Sequence, residues 1–175
     1  MTEFVSERLS EWHSFDTFNC GNDALNRWLK RDAMRAQRAG VSRLTVWMVR
    51  GNPTEVIAYY SVSPIVIAAA DGLSRKAAGG YSQVPAWLLG RLAVARDFQG
   101  QGLGGEVLLD ALETIISAAT IGGGRLIVVD PIDERASAWY QRFGFVSFGP
   151  DDAQRQRRQY LPVATAIKAI GSAPG

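Results

Sequence analysis

The chain has 175 residues, of which 47% are hydrophobic and 21% charged, and a net charge of +2. That balance excludes a disordered chain and suits one folded domain, expected over residues 1–170, with residues 171–175 as a mobile tail. Cys20 and His13 are each the single copy of their type, which excludes an intrachain disulfide, a histidine-based metal cluster and any triad needing a second histidine.

Phe4 to Leu9 reads as a short first strand. His13 reads as a surface or turn residue. Asn22 or Gly21 can cap a helix running to about Ala39, where Gly40 ends it. Its apolar residues Leu25, Trp28, Leu29, Ala33 and Ala36 have helical spacing. Arg43 to Arg50 alternates and reads as a strand. Gly51-Asn52-Pro53 is a turn, and Glu55 to Ser63 completes a hairpin that Ile65 to Ala70 can extend beyond Pro64.

A polar connection spans Asp71 to Val84, and Trp87 to Ala95 is a largely apolar strand with Arg91 in its middle. Glycine-rich residues follow, then a helix from about Gly102 to Ala119, stopped by Gly122-Gly123-Gly124. Leu126 to Val129 is a wholly apolar strand, as a buried central position requires. Glu134 to Phe143 is a helix with Gly144 at its C-cap. Phe145 to Phe148 and Gln159 to Ala166 read as the last two strands. The order is mixed α+β. Glu3, Glu7 and Arg8 stand where a leader's apolar core would be, and Ile65 to Ala70 is too short to span a bilayer, so a cytoplasmic location is expected.

A strand, alternating glycines and a helix form a recurring anion site. Glycine lets the backbone approach an anion at positive φ, and the first free N–H groups of the helix point at the same spot with the positive end of its dipole. Gly100, Gly102 and Gly104 alternate, which is not the G-x-G-x-x-G of dinucleotide folds, and no Gly-Lys-Ser/Thr follows. A glycine turn without a ligand is the plain alternative.

Gln99-Gly100-Gln101-Gly102-Leu103-Gly104 resembles the Q/R-x-x-G-x-G/A pyrophosphate motif of the GNAT acetyltransferases. Leu89 to Val94 resembles that family's cofactor strand, and Asp130, Tyr140 and Phe143-Gly144-Phe145 fit its downstream pair of elements. The resemblance implies a mixed central sheet flanked by helices, splayed into a V between the fourth and fifth strands. It implies acetyl-CoA as cofactor, with backbone groups of Leu92, Ala93 and Val94 along the pantetheine arm. The pyrophosphate would then lie on the amides of Gln99, Gly100, Gln101, Gly102, Leu103 and Gly104. Asp130, at the end of a central strand, is a further candidate cofactor contact.

Transfer of an acetyl group from a thioester to an amine needs a neutral amine, a polarised carbonyl and a proton for the departing thiolate. Tyr140 stands where the family keeps a tyrosine near the sulfur, and a phenol with an ordinary pKa near ~10 holds its proton at neutral pH. Packing is the alternative, since Trp139, Tyr140 and Phe143 share one helix. Cys20 reads as a small buried hydrophobe. Glu55, Asp130, Asp133 and Glu134 are unranked candidates for a base. A free α-amine, with a pKa near ~8, needs far less help than a lysine near ~10.4.

Phe18-Asn19-Cys20-Gly21, Gly40-Val41-Ser42-Arg43 and Tyr59-Tyr60-Ser61 extend the resemblance to GNAT toxins of type II toxin–antitoxin pairs. Such toxins acetylate aminoacyl-tRNA, block translation, form dimers and are neutralised by a ribbon-helix-helix antitoxin. At about 100° per residue, Arg27, Arg31, Arg35 and Arg38 fall in one sector of the first helix, opposite Leu25, Leu29 and Ala36. Such a stripe suits tRNA phosphates, and Arg91, Arg155, Arg157 and Arg158 can extend it. A solvated charged face, or a seat for an acidic antitoxin segment, remains open beside it. A small-molecule or peptide N-acetyltransferase and a non-catalytic acyl-CoA-binding module are the alternative functions.

Overall fold

The computed structural model describes residues 1–149 and 158–171. The strands form one seven-stranded sheet ordered β1-β2-β3-β4-β5-β7-β6. In chain order they are β1 (Phe4–Arg8), β2 (Arg43–Val49), β3 (Ala58–Ala68), β4 (Gln83–Val94), β5 (Leu126–Val129), β6 (Val146–Ser147) and β7 (Gln159–Pro162). The helices are α1 (Asp23–Arg31), α2 (Ala33–Arg38), α3 (Arg75–Ala78), α4 (Leu103–Gly122), α5 (Glu134–Gln141) and α6 (Val163–Gly171). None is long and apolar enough to cross a membrane among the described residues.

β4 and β5 run parallel, in register from Ala86 with Leu126 to Leu89 with Val129. This parallel register covers these four pairs, and β4 itself continues to Val94. The other pairings given for β1–β2, β2–β3, β5–β7 and β6–β7 are antiparallel.

Two compact units divide the chain. The first comprises Met1–Ser63 and Gly90–Ala111. Its core joins Leu9, Phe18, Leu29, Leu44, Val46 and Tyr59, with Ala93 from the end of β4. β2 alternates buried and half-exposed residues, so Leu44, Val46 and Met48 all enter this core. Each such side chain contributes roughly 1.5–3 kcal/mol by leaving water. Trp47 Nε1 donates to Asp110 at 3.0 Å, which ties β2 to α4.

The second unit comprises Pro64–Leu89 and the described part of Leu112–Gly175. Ile67, Val84, Ala86, Leu126, Val128 and Phe148 form its core. All four residues of β5 are buried, as its unbroken apolar run requires. Trp87 Nε1 donates to Gly123 O at 2.9 Å. A Cβ on Gly124, whose φ is 116°, would lie 2.3 Å from that ring nitrogen, so the turn after α4 tolerates no side chain there.

Four expectations are corrected. The helix expected from Asn22 to Ala39 is broken at Asp32, whose φ of −115° separates α1 from α2. The strand expected from Gln159 to Ala166 stops at Pro162, and α6 begins at Val163. Its alanines and Lys168 are good helix formers, which the short apolar run concealed. Gly171, expected in the tail, closes that helix, and residues 172–175 lie outside the described ones. His13 closes a turn, its N–H donating to Ser10 O, but it is buried rather than at the surface: Ser10 N donates to its Nδ1 at 2.9 Å, and its Nε2 lies 2.8 Å from Glu7 Oε1. Nδ1 therefore accepts, and the ring proton sits on Nε2 toward the carboxylate.

Candidate active site

The glycine loop lies between β4 and α4. A single 3₁₀ turn, Arg96–Phe98, separates it from the strand. Gly100 and Gly102 have φ of 74° and 83°, a region that residues with a Cβ avoid. Nothing lies within 4 Å of a Cβ built on either, so the space over the loop is open. Gly105 and Glu106 donate to Gly102 O, the first helical bonds of α4. Among the described residues, the amides of Gly100, Gln101, Gly102, Leu103 and Gly104 meet no backbone acceptor. They are the orphan donors of a helix start, and a diphosphate supplies the charge and oxygen count to satisfy them.

Gln99 differs from its neighbours. Its N–H already donates to Arg96 O, and its side-chain Nε2 donates to Val94 O at 2.8 Å and to Cys20 O at 2.9 Å. Arg96 N–H donates to Asn19 O at 2.8 Å. Asn19 Oδ1 accepts from Gly21 N and from Asn26 Nδ2, while Asn26 Oδ1 accepts from Cys20 N. Gln99 thus clasps the loop to the turn that starts α1. That turn is itself capped by Asn22, whose side chain accepts from Leu25 N. Sequence reading missed this clasp. Its only signal was a polar Asn19 and Asn26 flanking a helix start, a pattern that caps alone would explain.

Arg91 lies on the end of β4 that carries Leu92, Ala93 and Val94. It is half-buried, with its guanidinium carbon 3.8 Å from the centroid of the Trp28 ring. Burial lowers its pKa from the usual arginine value. Trp28 stacks near-parallel on Tyr59, with centroids 6.2 Å apart and planes at 17°. The Tyr59 hydroxyl donates to Leu25 O at 2.8 Å. No spacing in the sequence brings Trp28 under Arg91, since they reach each other only across the sheet-to-helix layer.

The arginine stripe survives the break in its helix in part. Arg27, Arg31, Arg35 and Arg38 are all exposed. Arg35 pairs with Asp32 at 3.4 Å, and Arg38 pairs with Glu11. Arg27 and Arg31 have no carboxylate partner among the described residues. Together with Lys30 they line an open hollow of about 410 Å³, along with Thr17, Asn19, Asn26 and the acidic Asp23.

Tyr140 belongs to the second unit, on α5. It is buried, edge-on to Trp139 and Phe145 at 5.0 and 5.5 Å. Burial pushes its phenol pKa well above the usual value, so it keeps its proton at any physiological pH. Asp133 caps α5 through Ala136 N at 2.7 Å. Gln159 Nε2 holds the same helix through Ser137 O and Oγ. Asp130 is held by Arg158 in a two-pronged ion pair at 2.7 and 2.9 Å. Arg158 therefore adds no free charge to a basic surface, while Arg155 and Arg157 lie outside the described residues. Glu55 accepts from Thr17 and Asn52, so it and Asp133 serve the local fold. Cys20 is half-buried against the first core, and burial raises its thiol pKa.

The acetyltransferase (GNAT) domain family matches residues 42–147. A tRNA-acetylating toxin of Mycobacterium tuberculosis is 33% identical over 138 residues, which span 79% of this chain and 81% of that one. A protein of Sinorhizobium fredii carrying the name Probable toxin TacT is 26% identical over 168 residues, 91% of this chain and 90% of its own. The solved structure of AtaT complexed with acetyl-methionyl-tRNAfMet superimposes with a TM-score of 0.83 at 24% identity, covering 97% of this chain and 98% of that one. At that identity the likeness speaks for the fold. The chain belongs to the GNAT acetyltransferases. It is an acyltransferase, and its cofactor is acetyl-CoA.

Proposed function

We propose that this enzyme acetylates the α-amine of aminoacyl-tRNA and thereby stops translation, as a toxin of the cytoplasm. The observation that carries the reading is the run of unbonded amides from Gly100 to Gly104, joined by the Gln99 clasp to the start of α1, whose exposed side carries Arg27, Lys30 and Arg31. A cofactor seat and a phosphate-binding face are thus parts of one framework. The M. tuberculosis relative, a tRNA-acetylating toxin, supports the same acceptor.

In this reading the amides from Gly100 to Gly104 hold the pyrophosphate, and the backbone of Leu92, Ala93 and Val94 aligns the pantetheine arm. When bound, acetyl-CoA supplies the activated acetyl group. The α-amine attacks directly, so Cys20 takes no part, in keeping with its half-buried, raised-pKa thiol. Tyr140 serves as general acid, because its phenol holds a proton that a departing thiolate can take. A free α-amine is neutral often enough near pH 7 to attack without a dedicated base. Arg27 and Arg31, with Arg35 and Arg38 at the margin, position tRNA phosphates. The protein acts as a homodimer, and a ribbon-helix-helix antitoxin restrains it.

The test is incubation of the full chain with labelled acetyl-CoA and charged total tRNA. Label that leaves with the amino acid on mild alkaline deacylation supports the reading. Label on free polyamines or peptides instead overturns it.

A further inference from the structure

Arg91 is the least explained charge in the first unit. One face of its guanidinium lies on Trp28, which is itself seated on Tyr59. Tyr59 is fixed in turn by its bond to Leu25 O. This contact over the ring holds the guanidinium in place but uses none of its N–H groups. Among the described residues no hydrogen-bond acceptor or carboxylate lies within bonding distance of it, although Asp32 is near enough to favour its charge. A half-buried guanidinium held over a ring, with donors that the described residues do not use, has those donors free for a ligand. It adjoins Leu92, where the reading above places the thioester arm, and it shares its side of the strand with Ala93 in the α1 core.

We propose that Arg91 is a specificity-determining residue, its guanidinium donating to the ester carbonyl oxygen of the aminoacyl acceptor and turning away amines carried on cationic chains. The inference rests on the tRNA reading and sharpens it. In an aminoacyl ester the carbonyl carbon is bonded to the carbon that bears the amine, so one oriented donor fixes the nucleophile. A fixed positive charge beside the amine also disfavours its ammonium form, which supplies part of what a base would do. A polyamine has no such oxygen and meets like charge instead.

The experiment compares three acceptors with the full chain: charged tRNA, an amino acid methyl ester and spermidine. Arg91→Met keeps a stem over Trp28 but removes charge and donors, and Arg91→Lys keeps the charge without the fork. Arg91→Met should lower kcat/KM about tenfold to a hundredfold on both charged tRNA and the methyl ester, the range of a charge-assisted bond. Spermidine turnover should hold or rise, acetyl-CoA affinity should stay within about twofold, and Arg91→Lys should recover part of the loss. Loss on tRNA with an unchanged methyl-ester rate would assign Arg91 to a phosphate and overturn the proposal. Equal loss on all three acceptors, or no loss, would overturn it as well. If the wild-type chain leaves charged tRNA unlabelled, the tRNA reading fails, while the methyl-ester comparison still decides the carbonyl contact.

Discussion

In the proposed function, the glycine loop and the exposed side of α1 and α2 would meet phosphate with different parts of the polypeptide. The loop works through backbone amides, whose direction is set by φ at Gly100 and Gly102 and by the clasp of Gln99. The helical face works through long side chains, and the fold has already engaged two of its four arginines in ion pairs. Donors built into the backbone have no rotamers to lose on binding and cannot be drawn away by a neighbouring carboxylate. Side-chain cations can, so counting arginines overstates a charged face. Tyr140 is a third case, a single buried side chain that burial keeps protonated.

These contrasts can be broken experimentally. The largest effect should come from the buried phenol. Tyr140→Phe is expected to lower kcat about 10²- to 10⁴-fold while acetyl-CoA affinity measured by calorimetry is kept. Because burial raises the phenol pKa, wild-type kcat should show no alkaline loss of this acid below about pH 10. A falling limb near neutrality that vanishes in the variant would contradict the assignment.

Next in size is the loop. Gly102→Val puts a β-branched residue at a φ of 83°, in space that is otherwise open. The strain should be local, of about 1–2 kcal/mol or more, and the amides should turn away from their common focus. Acetyl-CoA affinity should fall about tenfold to a hundredfold with only a small drop in Tm. A large loss of Tm would mean that the loop supports the fold more than it binds a ligand.

The helical face separates two pairs of arginines. Arg27→Glu with Arg31→Glu should raise the KM for charged tRNA about tenfold and flatten its salt dependence by about two units of slope. Acetyl-CoA binding should not change. Arg35→Ala, whose partner is Asp32, should shift Tm and tRNA KM hardly at all, in line with the ~0–1 kcal/mol of an exposed ion pair. An equal effect from Arg35→Ala alone would erase the distinction between free and engaged arginines.

Most of the framework was readable before folding. Leu126 to Val129 declared a central strand by having no polar residue, and Asn22 declared a helix start by its type and place. The loop was readable because only glycine reaches positive φ cheaply, so the need for it is written into residue type. The break at Asp32 was not readable, because Asp32 lies in an otherwise unbroken helical period and is set aside by its dihedrals alone. The start of α6 was hidden because a short apolar run satisfies both periods until its partners are known. Asp130 looked like a free carboxylate at a strand end until Arg158 closed on it.

What the amino-acid order determined by itself was therefore local: where most strands and helices lie, and where glycine takes the backbone to positive φ. Tertiary structure alone decided which charges stay unpaired. It set Arg91 over Trp28 with no bonded acceptor among the described residues, engaged Arg38 with Glu11, and buried His13 against Glu7. The reason is that backbone conformation depends on neighbours in sequence, whereas the partner of a charge depends on neighbours in space.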